Sequence, residues 1–250
     1  MCIRDRPDIS QNVSHLCTFS HCAGPEHIKY AMWVIGYLVK TKDLGITFGG
    51  SILPPPGVPD VPDSYYESYG LYIMHDNSWG TKPKPMGGHV IMYNNGPISW
   101  SAKTGQTIPQ STAEAELIEG TRAAKEGMFV IQLMINNHRK ITSPVIICGD
   151  NKAMIDMVQQ EGASVRTRYY ERAILLLKRA VLLLIFKPHL VSTEKMLADI
   201  FTKATEKGVF IRQRNVMMNS CGKLRAYLAQ TSGNLHGATK KLADHLFTRM

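Results

Sequence analysis

The chain has 250 residues, of which 44% are hydrophobic and 20% charged. That is enough for one large domain, or one medium domain with flanking pieces, and it argues against disorder as the default state. A formal net charge of +9 directs attention to polyanionic partners. Five scattered cysteines (Cys2, Cys17, Cys22, Cys148, Cys221) contain no Cys-x-x-Cys, which argues against a disulfide framework and for a reducing, intracellular compartment.

In chain order, Met1 to Arg6 is short and charged with no apolar run behind it, so no secretion signal is expected. Residues 7–49 read as a small helical piece. Gly24-Pro25-Glu26 is a helix start, with proline and an acid in the first turn, and Ile28, Ala31, Met32, Ile35 and Leu38 follow at helical spacing. Residues 50–63 read as a linker, because Pro54, Pro55, Pro56, Pro59 and Pro62 suit neither a helix interior nor a central strand. Strands are then expected at 69–76, 87–93 and 97–103, the last two joined by Asn94-Asn95-Gly96, whose residues tolerate positive φ.

A long helix follows, capped by Ser111 or Thr112, with Leu117, Ala124, Met128 and Ile131 on its apolar side. Residues 144–148 form a short β-branched run suited to the centre of a sheet. Helices at 151–159 and 169–181, a strand at 182–187 and a final helix at 195–205 complete the order β-β-β-α-β-α-α-β-α. Residues 173–186 are the most apolar stretch, but Lys178 and Arg179 interrupt it and it is too short to span a bilayer. From Ala204 onward, eight Lys/Arg stand against two acids, so this end carries +6 of the net charge. A meander followed by helix–strand alternation predicts an α/β fold, a mixed sheet with helices on its faces.

Four acids occupy telling places. Asp76 ends the first strand, Glu116 lies one turn into the long helix, Asp150 follows the short buried strand, and Asp199 sits inside the final helix. In a mixed sheet the first and fourth strands can be central neighbours, which would put Asp76 beside Asp150. Helices over that edge can bring Glu116 and Asp199 to the same point. Clustered carboxylates repel unless a cation lies among them, and ligands that are all oxygen select a hard ion, Mg²⁺ or Mn²⁺. Two such ions about 4 Å apart support phosphodiester hydrolysis.

These residues carry a resemblance. Arg6-Pro-Asp-Ile-Ser10, Gly24-Pro-Glu-His27, Thr41-Lys-Asp-Leu-Gly-Ile-Thr-Phe48, His75-Asp-Asn-Ser-Trp-Gly80, Gly96-Pro-Ile-Ser-Trp-Ser101, Ser111-Thr-Ala-Glu-Ala-Glu-Leu117, Cys148-Gly-Asp-Asn-Lys-Ala153 and Leu197-Ala-Asp-Ile-Phe-Thr-Lys203 stand in order. Over roughly residues 6–225 the chain resembles the copia-type LTR retrotransposon Pol polyprotein, at the end of its reverse transcriptase and its ribonuclease H (RNase H) domain. The resemblance implies an RNase H-like five-stranded mixed sheet with flanking helices. It implies catalytic and metal-holding Asp76, Glu116, Asp150 and Asp199, with Glu116 preferred to Glu114, and a lesser role for His189 in moving protons or releasing product. Mg²⁺ or Mn²⁺ would be the cofactor. The partners would be an RNA–DNA hybrid and the rest of the polyprotein, in cytoplasm, virus-like particle or nucleus, without membrane contact.

The implied domains are a reverse-transcriptase remnant (1–49), a linker (50–63), the RNase H domain (64–205) and a basic extension (206–250). No polymerase activity is expected, because the chain starts after the polymerase acids. Ser78 stands where the family usually has a second acid, residues 82–87 replace a basic Ser/Thr-Gly stretch, and 182–184 is Leu-Leu-Leu where a polar turn is usual. Met1 to Asp5 does not fit the family. The alternatives are a catalytically decayed nucleic-acid-binding remnant and an integrase-class enzyme, although that class has Glu as its last acid. His15, Cys17, His21, Cys22 and His27 match no common zinc spacing and read as helix positions. Trp100 reads as packing, and Trp79 as a packing residue or a substrate contact.

Overall fold

The computed structural model describes residues 6–79, 84–142, 144–159 and 171–219, with backbone alone for 171–173. The leader, Lys82, Pro83, Tyr169 and the basic residues from Lys223 onward lie outside the described residues. Helices α1 (Ser10–Cys17), α2 (Pro25–Lys40) and α3 (Asp63–Glu67) precede the sheet. Strands β1 (Tyr72–Ser78), β2 (Met86–Tyr93) and β3 (Gly96–Thr104) follow, then α4 (Thr112–Asn136), β4 (Val145–Gly149), α5 (Lys152–Gln159), α6 (Glu171–Leu182), β5 (Phe186–Leu190), α7 (Asp199–Thr202) and α8 (Lys207–Met217).

The five strands form one mixed sheet in the order β3-β2-β1-β4-β5. Only β2 runs against its neighbours: β1 and β3 are antiparallel to it, whereas β4 is parallel to both β1 and β5. This is the RNase H-like arrangement that the motifs imply. Asn94 and Asn95 take φ of 50° and 63°, so the hairpin closes through the paired left-handed residues that match strand twist.

Side-chain alternation in the central strands divides the core. Leu71, just before β1, and Ile73 within it join Val145 and Ile147 of β4 under α4, α5 and α6. Tyr72 and Met74 join Ile146 and Cys148 on the opposite face, under Leu197, Ile200, Phe201 and Met217 of the C-terminal segments. Gly127 lets α4 approach closely, since a Cβ there would sit 2.3 Å from Ile73 Cδ1.

Two expectations shift. The strand expected at 182–187 begins only at Phe186, because α6 runs to Leu182 and the exposed Leu183 and Leu184 form a turn with Leu184 at φ 54°. The final helix expected at 195–205 is replaced by a 3-10 turn at Thr193–Lys195, an extended Met196 and the four-residue α7. Met196, Leu197, Ile200 and Phe201 are all buried, at a spacing that a continuous helix would also place on one face, so periodicity does not separate the two arrangements. A further helix, α8, follows within the basic C-terminal extension.

The N-terminal motif is structural. Buried Arg6 pairs with Asp8 at 2.7 Å and donates to Thr41 O at 2.9 Å. Tyr37 of α2 donates to Asp8 at 2.5 Å and accepts from Arg214 of α8 at 3.2 Å, which ties the first helices to the C-terminal one. Among the described residues, no helix is long and apolar enough to cross a membrane.

Candidate active site

The β1–β4 ladder pairs Tyr72 with Ile146 and Met74 with Cys148. Two residues further along each strand, on the same face, stand Asp76 and Asp150. Parallel pairing thus turns two acids 74 positions apart in the sequence into neighbours at the carboxyl end of the sheet. Asp199, the first residue of α7, comes in from the packed helical side. One carboxylate oxygen from each of Asp76, Asp150 and Asp199 lies within 4.8 Å of the others, and this is the only such metal-capable group among the described residues. His15, Cys17, His21, Cys22 and His27 form none; Cys17 and Cys22 are exposed.

Glu116 reaches the same end from the opposite face. Ser111 caps α4 by accepting from Glu114 N–H at 3.1 Å, and the first turn carries Glu116 over the sheet edge. Its Oε1 accepts from Asn77 N–H at 3.0 Å, whereas its Oε2 lies 3.5 Å from His75 Nδ1 without a hydrogen bond. Burial and the charges of Asp76 and Asp150 push the Glu116 carboxyl up to about 10. Burial also raises Asp199, with the Asp76 charge adding to it. Buried His75 is driven down to about 4, so its ring is neutral at pH 7. Burial is the largest cause of all three shifts; the neighbouring negative charges add to it for Glu116 and Asp199 and oppose it for His75.

Several residues beyond the four acids complete the corner. Lys203 Nζ lies 2.9 Å from Asp199 and 3.8 Å from Asp76. Thr202 donates to Asp76, and Thr193 donates to Asp150 Oδ2 at 2.9 Å. Lys203 and Thr202 sit within a matched motif, yet nothing in the spacing alone distinguishes them from solvated helix residues. Ser78 closes the β1–β2 end instead of supplying an acid: its hydroxyl donates to Met86 O at 3.2 Å and accepts from Met86 N–H at 3.1 Å. His189 stands within β5, opposite Cys148, rather than on a loop, and it is not among the residues lining the cavity described next. Trp100 packs against the core, whereas Trp79 donates from its indole to Pro109 O at 3.1 Å at the rim.

A cavity of about 1270 Å³ opens over Asp76, Glu116 and Asp150. Oxygen donors alone, a neighbouring buried carboxylate oxygen without a hydrogen bond, and one lysine set against several acids suit a hard divalent cation.

No family model matches the chain. It is 26% identical over 207 residues to the retrovirus-related Pol polyprotein from transposon TNT 1-94 of Nicotiana tabacum, covering 82% of this chain and 14% of that protein. It is 24% identical over 208 residues to the Pol polyprotein from transposon RE1 of Arabidopsis thaliana, covering 82% and 13% respectively. The chain is a distant homologue of copia-type Pol polyproteins. It spans only a small fraction of the length of these relatives. Among solved structures, LC11-RNase H1 in complex with an RNA/DNA hybrid shows 14% identity and a TM-score of 0.40, with 60% of this chain and 98% of that one covered. RNase H1 from Halobacterium salinarum shows 11% identity and a TM-score of 0.40, with 53% and 93% covered. The copia-type homology and the strand order agree on an RNase H-like domain of a retrotransposon Pol protein.

Proposed function

We propose that this domain is a metal-dependent endonuclease that hydrolyses the RNA strand of RNA–DNA hybrids during retrotransposon reverse transcription. The observation that supports it best is the convergence of Asp76, Asp150 and Asp199 within 4.8 Å at the end of adjacent parallel strands. These three, with Glu116, would hold Mg²⁺ or Mn²⁺. When bound, such ions activate water and stabilise the leaving 3′-oxygen in phosphodiester hydrolysis.

The chain's own residues prepare the corner. Thr202 and Thr193 orient Asp76 and Asp150 by donating to one oxygen of each. The Asn77 N–H holds Glu116 Oε1, so that Oε2 is the oxygen left for a ligand. Lys203 offsets part of the negative charge and lies where a substrate phosphate would approach. An A-form-like hybrid would be read through its backbone and 2′-hydroxyls rather than its base sequence.

The test is cleavage of a labelled RNA–DNA hybrid with Mg²⁺ or with EDTA, beside Asp150→Asn. RNA cleavage that needs the metal and vanishes in the variant is the expected result. Hybrid binding without cleavage would instead favour a decayed nucleic-acid-binding copy, the reading that Ser78 at the usual second-acid position supports. Cleavage of duplex DNA would move the domain to the integrase class.

A further inference from the structure

The cavity over the carboxylates has a second wall. His15 and Phe19 from α1 and its following turn, with His27 and Tyr30 of α2, line the same continuous space as Asp76 and Asp150. The four rings form a cluster. Phe19 and His27 lie 4.1 Å apart between centroids, His15 meets Phe19 edge-on at 5.2 Å, and His15 meets Tyr30 at 6.2 Å. All four are half-buried, so each keeps part of its surface open. His27 Nδ1 accepts from Gly24 N–H at 3.0 Å, which places its ring proton on Nε2.

This wall is anchored. α1 packs on β3 and on α7, the helix that carries Asp199. The buried Arg6–Asp8 pair and the Tyr37–Arg214 hydrogen bond tie the same segment to α8. A strand that brings a phosphate to Asp76 and Asp150 therefore enters a space already closed on its far side by aromatic and imidazole rings. Lys84 and Lys203 line the sheet side of that space and suit phosphates, while Glu26 is the acid on the helical side. Bases offer flat faces of any sequence to such rings.

We propose that α1 and α2 form the second wall of the nucleic-acid cleft, with His15, Phe19, His27 and Tyr30 as a stacking platform for the strand that reaches the carboxylates. This rests on the hybrid-cleavage reading and adds a binding surface from outside the five-stranded domain. The test uses fluorescence anisotropy with a labelled RNA–DNA hybrid, in the full chain carrying Asp150→Asn so that nothing is cut. Adding Phe19→Ala or Tyr30→Ala is expected to weaken binding about tenfold. Trp33→Ala, on the outward side of α2 at 67% exposure, should leave binding unchanged.

Because the ring variants could unfold the α1–α2 segment, the unsubstituted chain is also photocrosslinked to a hybrid containing 4-thiouridine. Adducts are expected within residues 11–30, and their absence would overturn the proposal. Unchanged binding by well-folded ring variants, alongside metal-dependent cleavage by the parent, would sink the wall and leave the active-site reading standing. Tighter binding by the variants would make the α1–α2 segment an occluding lid and also overturn the proposal. A parent that does not bind hybrid would bring both readings down together.

Discussion

At the scale of single residues, the site depends on close approaches as much as on charges. Gly88 of β2 lies beneath α7, where an added Cβ would sit 2.4 Å from Phe201 Cβ and 3.0 Å from Thr202 Cγ2. Gly88→Ala must push α7, and Asp199 with it, off the sheet. It is expected to cost about 1–3 kcal/mol in urea unfolding, as overpacking does elsewhere, and to lower hybrid cleavage as well. An unchanged unfolding midpoint would show that α7 can shift freely.

A second residue-scale feature lies behind the site. Buried His89 donates to Glu119 at 2.7 Å and to Glu126 at 3.1 Å. Burial opposes its charge, but the two acids outweigh burial and hold its pKa above the ordinary value. This stabilisation is complete below about pH 6.5, the ordinary histidine value, and is lost as pH rises through the raised folded value. Glu126 is held down to about 2, chiefly by His89, so its share is lost only as pH falls below the usual glutamate range toward that figure. The urea midpoint should therefore fall on the alkaline side, and His89→Gln should flatten that decline. An equally steep decline in the variant would place its cause elsewhere.

Among the elements, α4 does two jobs. Its small residues let it lie close on the sheet, and its first turn delivers Glu116 over the sheet edge. Ser111→Ala removes the cap hydrogen bond and should cost about 1 kcal/mol. If the cap also aims Glu116, cleavage should fall by more than a comparable loss from the distant C-terminal end of α4, measured with a stability-matched variant there. Equal losses would reduce Ser111 to a helix cap alone. The short α7 makes the complementary point. It is too brief to persist alone, and packing holds it, through Phe201 and Ile200 in the core.

At the scale of the whole molecule, the fold gathers like charges that Lys203 offsets in part and that a bound cation would relieve further. Free Mg²⁺ about tenfold above its dissociation constant should contribute ~1.4 kcal/mol. That corresponds to a rise in Tm of about 3–6 °C, smaller in Asp150→Asn. A Tm indifferent to Mg²⁺ would separate the cluster from metal binding, whatever the cleavage assay gives.

The order of the elements, the Asn-Asn hairpin and the cap at Ser111 were legible in the sequence because each rests on local chemistry: periodicity, positive φ, or a hydroxyl within reach of a free N–H. Asp76, Asp150 and Asp199, which the fold brings within 4.8 Å of one another, were legible through their motifs. What lay beyond it was the company they keep. Lys203, Thr202 and Thr193 meet the acids through packing, and spacing alone does not separate such residues from solvated ones. Leu182 to Leu184 read as strand because they are apolar, yet α6 runs to Leu182 and the chain turns at Leu183 and Leu184 before β5 can pair with β4.

The sequence by itself determined which acids stand in the matched motifs and the local elements around them, since residue type and local patterning are properties of the chain. Only the tertiary structure decided that Asp76 and Asp150 meet across the β1–β4 ladder while Glu116 reaches their edge from the opposite face. Only it decided that α1 and α2 close the space above them. Those relations are set by strand pairing and by burial between segments far apart in the chain, which no local pattern records.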